Sequence, residues 1–200
     1  MNADALVAQA RDAVFIELGS LYPGVRAPVP AGYIRAMLDA VAPIIHGNFG
    51  SLPREHLELC AFSLVTTEPA NLRPLQRIPH FDGPEVGRFA FIHYLCGADH
   101  GGTSFFRHRA TEFECVTPER LDEYRQRLTQ QLEAAEPPRA YARGDTQLFE
   151  QIHSVPAAFN RLIIYKGNAL HSGDISSGAR LAEDPLRGRL TINGFGHLAD

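Results

Sequence analysis

Long apolar runs, basic clusters and paired cysteines are all missing from this chain, and each absence removes a class of function. The most apolar stretches, Leu38 to Ile45 and Phe89 to Leu95, fall far short of the roughly 20 residues a bilayer-spanning helix needs. The N-terminus has neither the charged region nor the apolar core of a signal peptide, so the expectation is a cytoplasmic protein with no membrane partner. There is no run of Lys or Arg, and 19 basic against 23 acidic residues give a formal charge of -4. A nucleic-acid partner therefore has no electrostatic support. Cys60, Cys96 and Cys115 are odd in number and form no CxxC pair, so they read as small hydrophobes in a reducing compartment. Internal repeats and low-complexity tracts are also lacking, and no feature sets an oligomeric state.

What the chain does have is the balance of an ordinary folded domain: 200 residues, 44% hydrophobic and 21% charged. One domain over residues 1–200 is expected. A chain of this length buries roughly 70% of the surface it exposes when unfolded, so neither a disulfide nor a metal is needed for stability. A metal site here would need a functional reason. Nine histidines make the useful question which of them meet in space.

The first third reads as helical support. One helix is expected near Asp4 to Leu18, a turn-rich passage covers Tyr22 to Pro30, and a second helix runs from about Gly32 to Ala42 with Ile34, Leu38 and Val41 on one face. Leu57 to Leu64 is strand-like, and Asn71 to His80, punctuated by Pro74 and Pro79, reads as an extended sheet edge. Arg88 to Leu95 is the clearest strand, followed by a glycine-rich turn and a short strand from Thr103 to His108. Pro118 to Glu136 then changes to a charged, glycine-free run with Leu121, Tyr124, Leu128 and Leu132 at helical spacing, stopped by Pro137 and Pro138. A further helix is expected over Thr146 to His153, giving a helical insertion of about 117–153 before strands return at Arg161 to Tyr165 and Arg189 to Asn193.

His80-Phe81-Asp82 is the focal point. Alternate side chains of an extended chain share a face, so His80 and Asp82 can converge while Phe81 packs behind them. His171 follows a second apolar strand and a turn, in Ile163-Ile-Tyr-Lys-Gly-Asn-Ala-Leu-His171. Two imidazoles and one carboxylate form the facial triad suited to non-haem Fe(II), with protein on one face of an octahedron and open positions on the other.

These residues resemble the 2-oxoglutarate/Fe(II)-dependent oxygenase superfamily, in its prolyl-4-hydroxylase-like branch, from about Leu72 to Phe195. Ile78-Pro-His-Phe-Asp82 is similar to the branch's HxD strand. Arg88 to Leu95 with Gly101-Gly-Thr-Ser-Phe-Phe106 is similar to its GGxTxF hairpin, and Ala169-Leu-His-Ser172 to its distal histidine segment. Phe159 to Tyr165, Leu170 to Asp174 and Gly188-Arg-Leu-Thr191 resemble more closely an uncharacterised bacterial family within that superfamily.

The resemblance implies a mainly β, α+β fold: a double-stranded β-helix, a cupin-like jelly roll, with N-terminal helices. It implies His80, Asp82 and His171 as iron ligands, and 2-oxoglutarate as cosubstrate in the hydroxylation of a small molecule or peptide. Arg189 would pair with the distal carboxylate of 2-oxoglutarate, for which a guanidinium's two parallel donors are suited. Arg180 competes for that role, and Arg189 is preferred because Leu190-Thr-Ile-Asn continues as a strand. The branch's cosubstrate-binding tyrosine is replaced by Asn71, so Tyr94, Thr103, Ser104 or Tyr165 would have to supply that hydrogen bond. Retention of Asp82 disfavours a halogenase.

Blander readings stand beside these. His93 shares a face with Phe89, Phe91 and Leu95, as a core histidine does. His100 and His108 flank the hairpin, at the pocket mouth or in solvent, and Arg88 and Arg161 read as strand-end anchors. The 118–136 helix reads as a solvated face, with a lid as the sharper alternative. Two other classes of function compete: a non-catalytic metal- or ligand-binding jelly roll, and a zinc hydrolase, in which Arg189 would have no purpose.

Overall fold

The computed structural model describes residues 2–19, 21–50, 53–176 and 178–199. Helix α1, Ala3–Arg11, begins where the Asn2 side chain accepts a hydrogen bond from the Ala5 amide at 3.2 Å, and it buries Ala3, Leu6 and Ala10. It stops well short of Leu18. Residues beyond it turn extended, and Ile16 exchanges two backbone hydrogen bonds of 2.9 Å with Arg26. Arg26 belongs to strand β1, Gly24–Pro28, inside the passage the sequence marked as turns. Its flanking prolines are tolerated because β1 is the edge of its sheet. Helix α2, Ala31–Phe49, carries Pro43 in its interior and continues past Ala42 to a left-handed Gly50 cap, burying Tyr33, Met37, Leu38, Val41 and Ile45.

Strand β2 spans Pro53–Val65. The expected extended edge at 71–80 is instead two single 3-10 turns, Pro69–Asn71 and Pro74–Gln76, each opened by proline, whose fixed φ suits a first helical position. Only His80 at its end joins a sheet, by a bridge to His171. Then come β3 (Arg88–Tyr94), β4 (Gly102–His108), α3 (Leu121–Ala134), β5 (Phe149–Pro156), β6 (Leu162–Lys166), β7 (His171–Asp174) and β8 (Leu190–Leu198).

Strand β5 corrects the expected helix over Thr146 to His153. Phe105 pairs with His153 but Phe106 with Gln151, so Ile152 is an extra residue in a bulge. The bulge breaks the two-residue alternation and leaves Phe149 and Ile152 at a spacing that mimics a helix. The insertion is accordingly one helix and its loops, ending before Phe149.

The strands form two antiparallel sheets, one ordered β1-β2-β8-β3-β6 and one ordered β5-β4-β7, and the molecule is α+β with strands dominant. Alternation sorts the residues of the larger sheet. Phe62, Leu64, Phe89, Phe91, Leu190 and Ile192 join the buried residues of α1 and α2 in one core. On the smaller sheet, Phe106 and Phe149 pack with Tyr124, Leu121, Leu128 and Leu132 of α3. Helices thus cover the two outer faces, and the inner faces meet each other. Tyr94 Oη and Thr103 Oγ1 bond at 2.6 Å across the gap, and the Arg189 guanidinium donates to the Gly102 carbonyl at 2.7 Å. Gly101, at φ +92°, lets β4 enter beside the Asp174 backbone, where any side chain would collide with the Asp174 carbonyl. Between the inner faces lies a cavity of about 410 Å³. Among the described residues no helix is long and apolar enough to cross a membrane, and the three cysteines are free.

Candidate metal centre

The two histidines are set side by side by the backbone. The His80 amide donates to the His171 carbonyl, and the His171 amide to the His80 carbonyl, each at 2.8 Å. This places the two imidazoles 4.4 Å apart between centroids. The Asp82 amide donates to the Gly167 carbonyl at 2.8 Å, which turns its carboxylate back toward both rings. Asp82 Oδ1 stands 3.9 Å from His80 Nε2 and Oδ2 stands 3.7 Å from His171 Nε2. Both distances exceed a hydrogen bond. Two atoms that share one ion at about 2.1 Å can be at most about 4.2 Å apart, so the carboxylate lies within sharing distance of both rings. One ligand atom from each of the three residues lies within 4.8 Å of the others, and the cluster could hold a metal ion.

The surroundings fit that use. Asp82 Oδ2 is buried without a hydrogen-bond partner among the described residues, a state that costs about 1–3 kcal/mol unless a cation satisfies it. His171 is 4% exposed and its Nδ1–H donates to the Ala169 carbonyl at 2.9 Å, so its Nε2 lone pair is the one offered to the cleft. His80 is open to the cavity, with 54% of its side chain accessible, but the cavity walls and neighbouring His171 hold its pKa down to about 4. The ring is therefore neutral near pH 7, the form that ligates.

Of the other sequence candidates, Arg189 and Tyr165 line the same cavity as the cluster. Arg189 is 3% exposed, its Nε is buried without a partner among the described residues, and its guanidinium lies 5.7 Å from the Tyr94 ring centre. Arg180 is exposed and does not line the cavity. Tyr165 stacks edge-on against His171 at 4.7 Å, and burial together with the Asp82 charge pushes its phenol pKa well up, so it stays a donor. Tyr94 and Thr103 are spent on each other and lie outside the cavity lining. Ser104 is also outside the lining, donating instead to Asp174 at 3.1 Å. Asn71 is exposed elsewhere.

His93 and His108 are structural. His93 is buried between Tyr33 Oη at 3.1 Å and Asn160 Oδ1 at 3.0 Å. His108 is at neither the pocket mouth nor the surface: it is fully buried on the α3 side, between Thr111 and Gln131. Arg88 pairs with Glu58 and Glu85, and Arg161 donates to the Pro156 carbonyl, both as strand-end anchors.

Sequence reasoning missed Tyr22, Arg26 and Asn193, all of which line the cavity. A signal existed for one of them: Arg26 is the lone charge in Gly24-Val-Arg-Ala-Pro28, with Val25 and Ala27 buried on either side. No curated protein matches the sequence. A family of unknown function, DUF6445, matches residues 1–196, and the chain belongs to that family.

Proposed function

We propose that this protein is an Fe(II)/2-oxoglutarate-dependent dioxygenase that hydroxylates a small molecule or peptide. One observation carries the reading: a buried, unpartnered carboxylate oxygen stands between two imidazoles in a cavity that also holds a buried arginine. Two histidines and one carboxylate with an open side suit non-haem iron. The strand order supports the jelly-roll form of this reading. In chain order β2, the His80 bridge, β3, β4 with β5, β6, β7 and β8 alternate between the two sheets, as a double-stranded β-helix requires.

The residues divide the work. His80, neutral in the cleft, and His171, with its tautomer set by Ala169, offer nitrogen lone pairs, while Asp82 brings the negative charge. Arg189 is held by its bond to Gly102 and keeps Nε free to pair with the distal carboxylate of the cosubstrate. Tyr165 braces the His171 ring, and Ile78, Ile92 and Ile175 keep the cavity wall apolar, limiting water. When bound, Fe(II) and 2-oxoglutarate supply the oxidant: O₂ and 2-oxoglutarate become succinate and CO₂, and the second oxygen atom enters a substrate C–H bond as hydroxyl.

Anaerobic titration with Fe(II) and 2-oxoglutarate is expected to give a visible charge-transfer absorption, and air is expected to release succinate above the free-iron rate. Absence of the absorption, with metal affinity unchanged in His80→Ala and Asp82→Ala, would sink the reading. A non-catalytic binding protein is the second reading, favoured by Asn71, which stands in place of the usual tyrosine and lies off the cavity. It predicts metal and 2-oxoglutarate binding without succinate.

A further inference from the structure

The cavity holds a second guanidinium that the proposed chemistry leaves unused. Arg26 projects from β1 on the face opposite Val25 and Ala27, which are buried against the helices. Its Cζ lies 4.3 Å from the centre of the Tyr22 ring, so the guanidinium is held by stacking rather than by a charge. Its Nε is buried without a hydrogen-bond partner, and it makes no ion pair with any described residue. It stands close enough to the metal cluster for its charge to act on His80, and for the Asp82 charge to act on it. Arg189, by contrast, is fixed to Gly102 of the smaller sheet. The two cations therefore occupy different stations in one cavity.

Charge decides what the second station takes. Among the described residues, the only charged ones lining the cavity are Arg26, Arg189 and Asp82. A divalent metal with these three leaves a surplus of positive charge that a dianionic cosubstrate does not cancel. One further monoanionic group does. Leu21, Leu75, Ile78 and Phe81 add apolar lining to the same cavity.

We propose that Arg26 is the substrate-orienting cation and that the substrate is a monocarboxylate on an apolar body, its acid docked on Arg26 and its apolar part along Leu21, Ile78 and Phe81. This deepens the dioxygenase reading and rests on Arg189 being committed to 2-oxoglutarate.

Hexanoate and 1-hexanol are the probes, titrated by calorimetry into the protein loaded with Ni(II) and 2-oxoglutarate, and into the metal-free protein. Hexanoate is expected to bind at least about tenfold more tightly than hexanol, since only it can form charge-assisted bonds to the guanidinium. Arg26→Gln should remove about that factor for hexanoate while changing 2-oxoglutarate affinity less than about threefold, and Arg26→Lys should keep part of it. Arg189→Gln should show the reverse pattern. The proposal is overturned if hexanoate does not bind, if hexanol binds as well, or if Arg26→Gln loses 2-oxoglutarate as strongly as Arg189→Gln does. If wild type binds neither metal nor 2-oxoglutarate, the dioxygenase reading fails instead, and the hexanoate comparison in metal-free protein still decides the role of Arg26.

Discussion

The two faces of the larger sheet are made by the same strands and have opposite purposes. On β2, β3 and β8 the residues Phe62, Leu64, Phe89, Phe91, Leu190 and Ile192 pack with the helices, while Ala90, Ile92 and Asn193 on the same strands line the cavity. The first face is hydrocarbon apart from His93, whose ring bonds Tyr33 of α2. The second carries buried polar atoms with no partner among the described residues, including Asn193 Oδ1 and the Arg189 Nε at the entry to β8. Such atoms cost stability in the empty cavity and gain partners when a polar ligand arrives. Stability and binding are thus separated by a two-residue period: side chains one position apart do different jobs.

The separation can be broken hardest from the helix side. Phe62 is 1% exposed in the core, and Phe62→Ala is expected to cost about 3–5 kcal/mol in urea unfolding through lost burial and a residual cavity. The fraction still folded should bind metal as the wild type does. A small loss of stability with a large loss of metal affinity would mean the faces are not independent.

From the cavity side the signs reverse. Asp82→Ala should lower affinity for a divalent metal by more than about 100-fold, since it removes a ligand rather than an outer partner, whose loss alone costs 10–100-fold. Thermal unfolding of the metal-free protein should be unchanged or slightly later, because a buried unpartnered oxygen is removed. Chelator titration and calorimetry on the same samples check both halves. Asn193→Leu sharpens the point. It replaces a half-buried amide, whose Oδ1 is buried with no partner among the described residues, by hydrocarbon of similar size and should stabilise the metal-free protein by about 1 kcal/mol. A destabilised variant would show that Asn193 is satisfied by ordered water.

The same period explains what the sequence made legible. Histidine and aspartate two apart in His80-Phe-Asp82 are a local pattern, as is the strand from Arg88, and the structure brings His171 to that pair. What local pattern could not carry was anything set by a distant partner. The bulge at Ile152 exists because of β4, and it turned a strand into an apparent helix. Prolines made β1 look like turns, although an edge strand with one full partner tolerates them. Tyr22 and Arg26 come from the N-terminal segment and reach the cavity only through the pairing of β1 with β2. Tyr94, Thr103 and Ser104 have the right chemistry for a cosubstrate site, but Tyr94 and Thr103 bond each other across the gap between the sheets and Ser104 bonds Asp174 on the neighbouring strand.

The smallest effect expected is the part of the pH dependence that His93 carries on the helix side. His93 is 1% exposed on β3, and its neutral tautomer satisfies both neighbours: Tyr33 Oη–H donates to Nδ1 and Nε2–H donates to Asn160 Oδ1. Burial holds its pKa below the ordinary histidine value, with the Asn160 bond opposing only in part. As pH falls through about 6.5 the unfolded chain takes up a proton that folded His93 does not, so stability declines until the lower folded pKa is passed. Above that range His93 contributes no slope. His108, buried against Gln131 with its pKa also lowered by burial, acts in the same direction. His93→Gln should flatten the stability profile of the metal-free protein between pH 6.5 and 5 by at most about 1.4 kcal/mol per pH unit, the limit for one proton. Urea midpoints across that range in the wild type and the variant measure the difference. Parallel profiles would mean that His93 titrates when folded as it does when unfolded, and that the helix-side face is wetter than its packing implies.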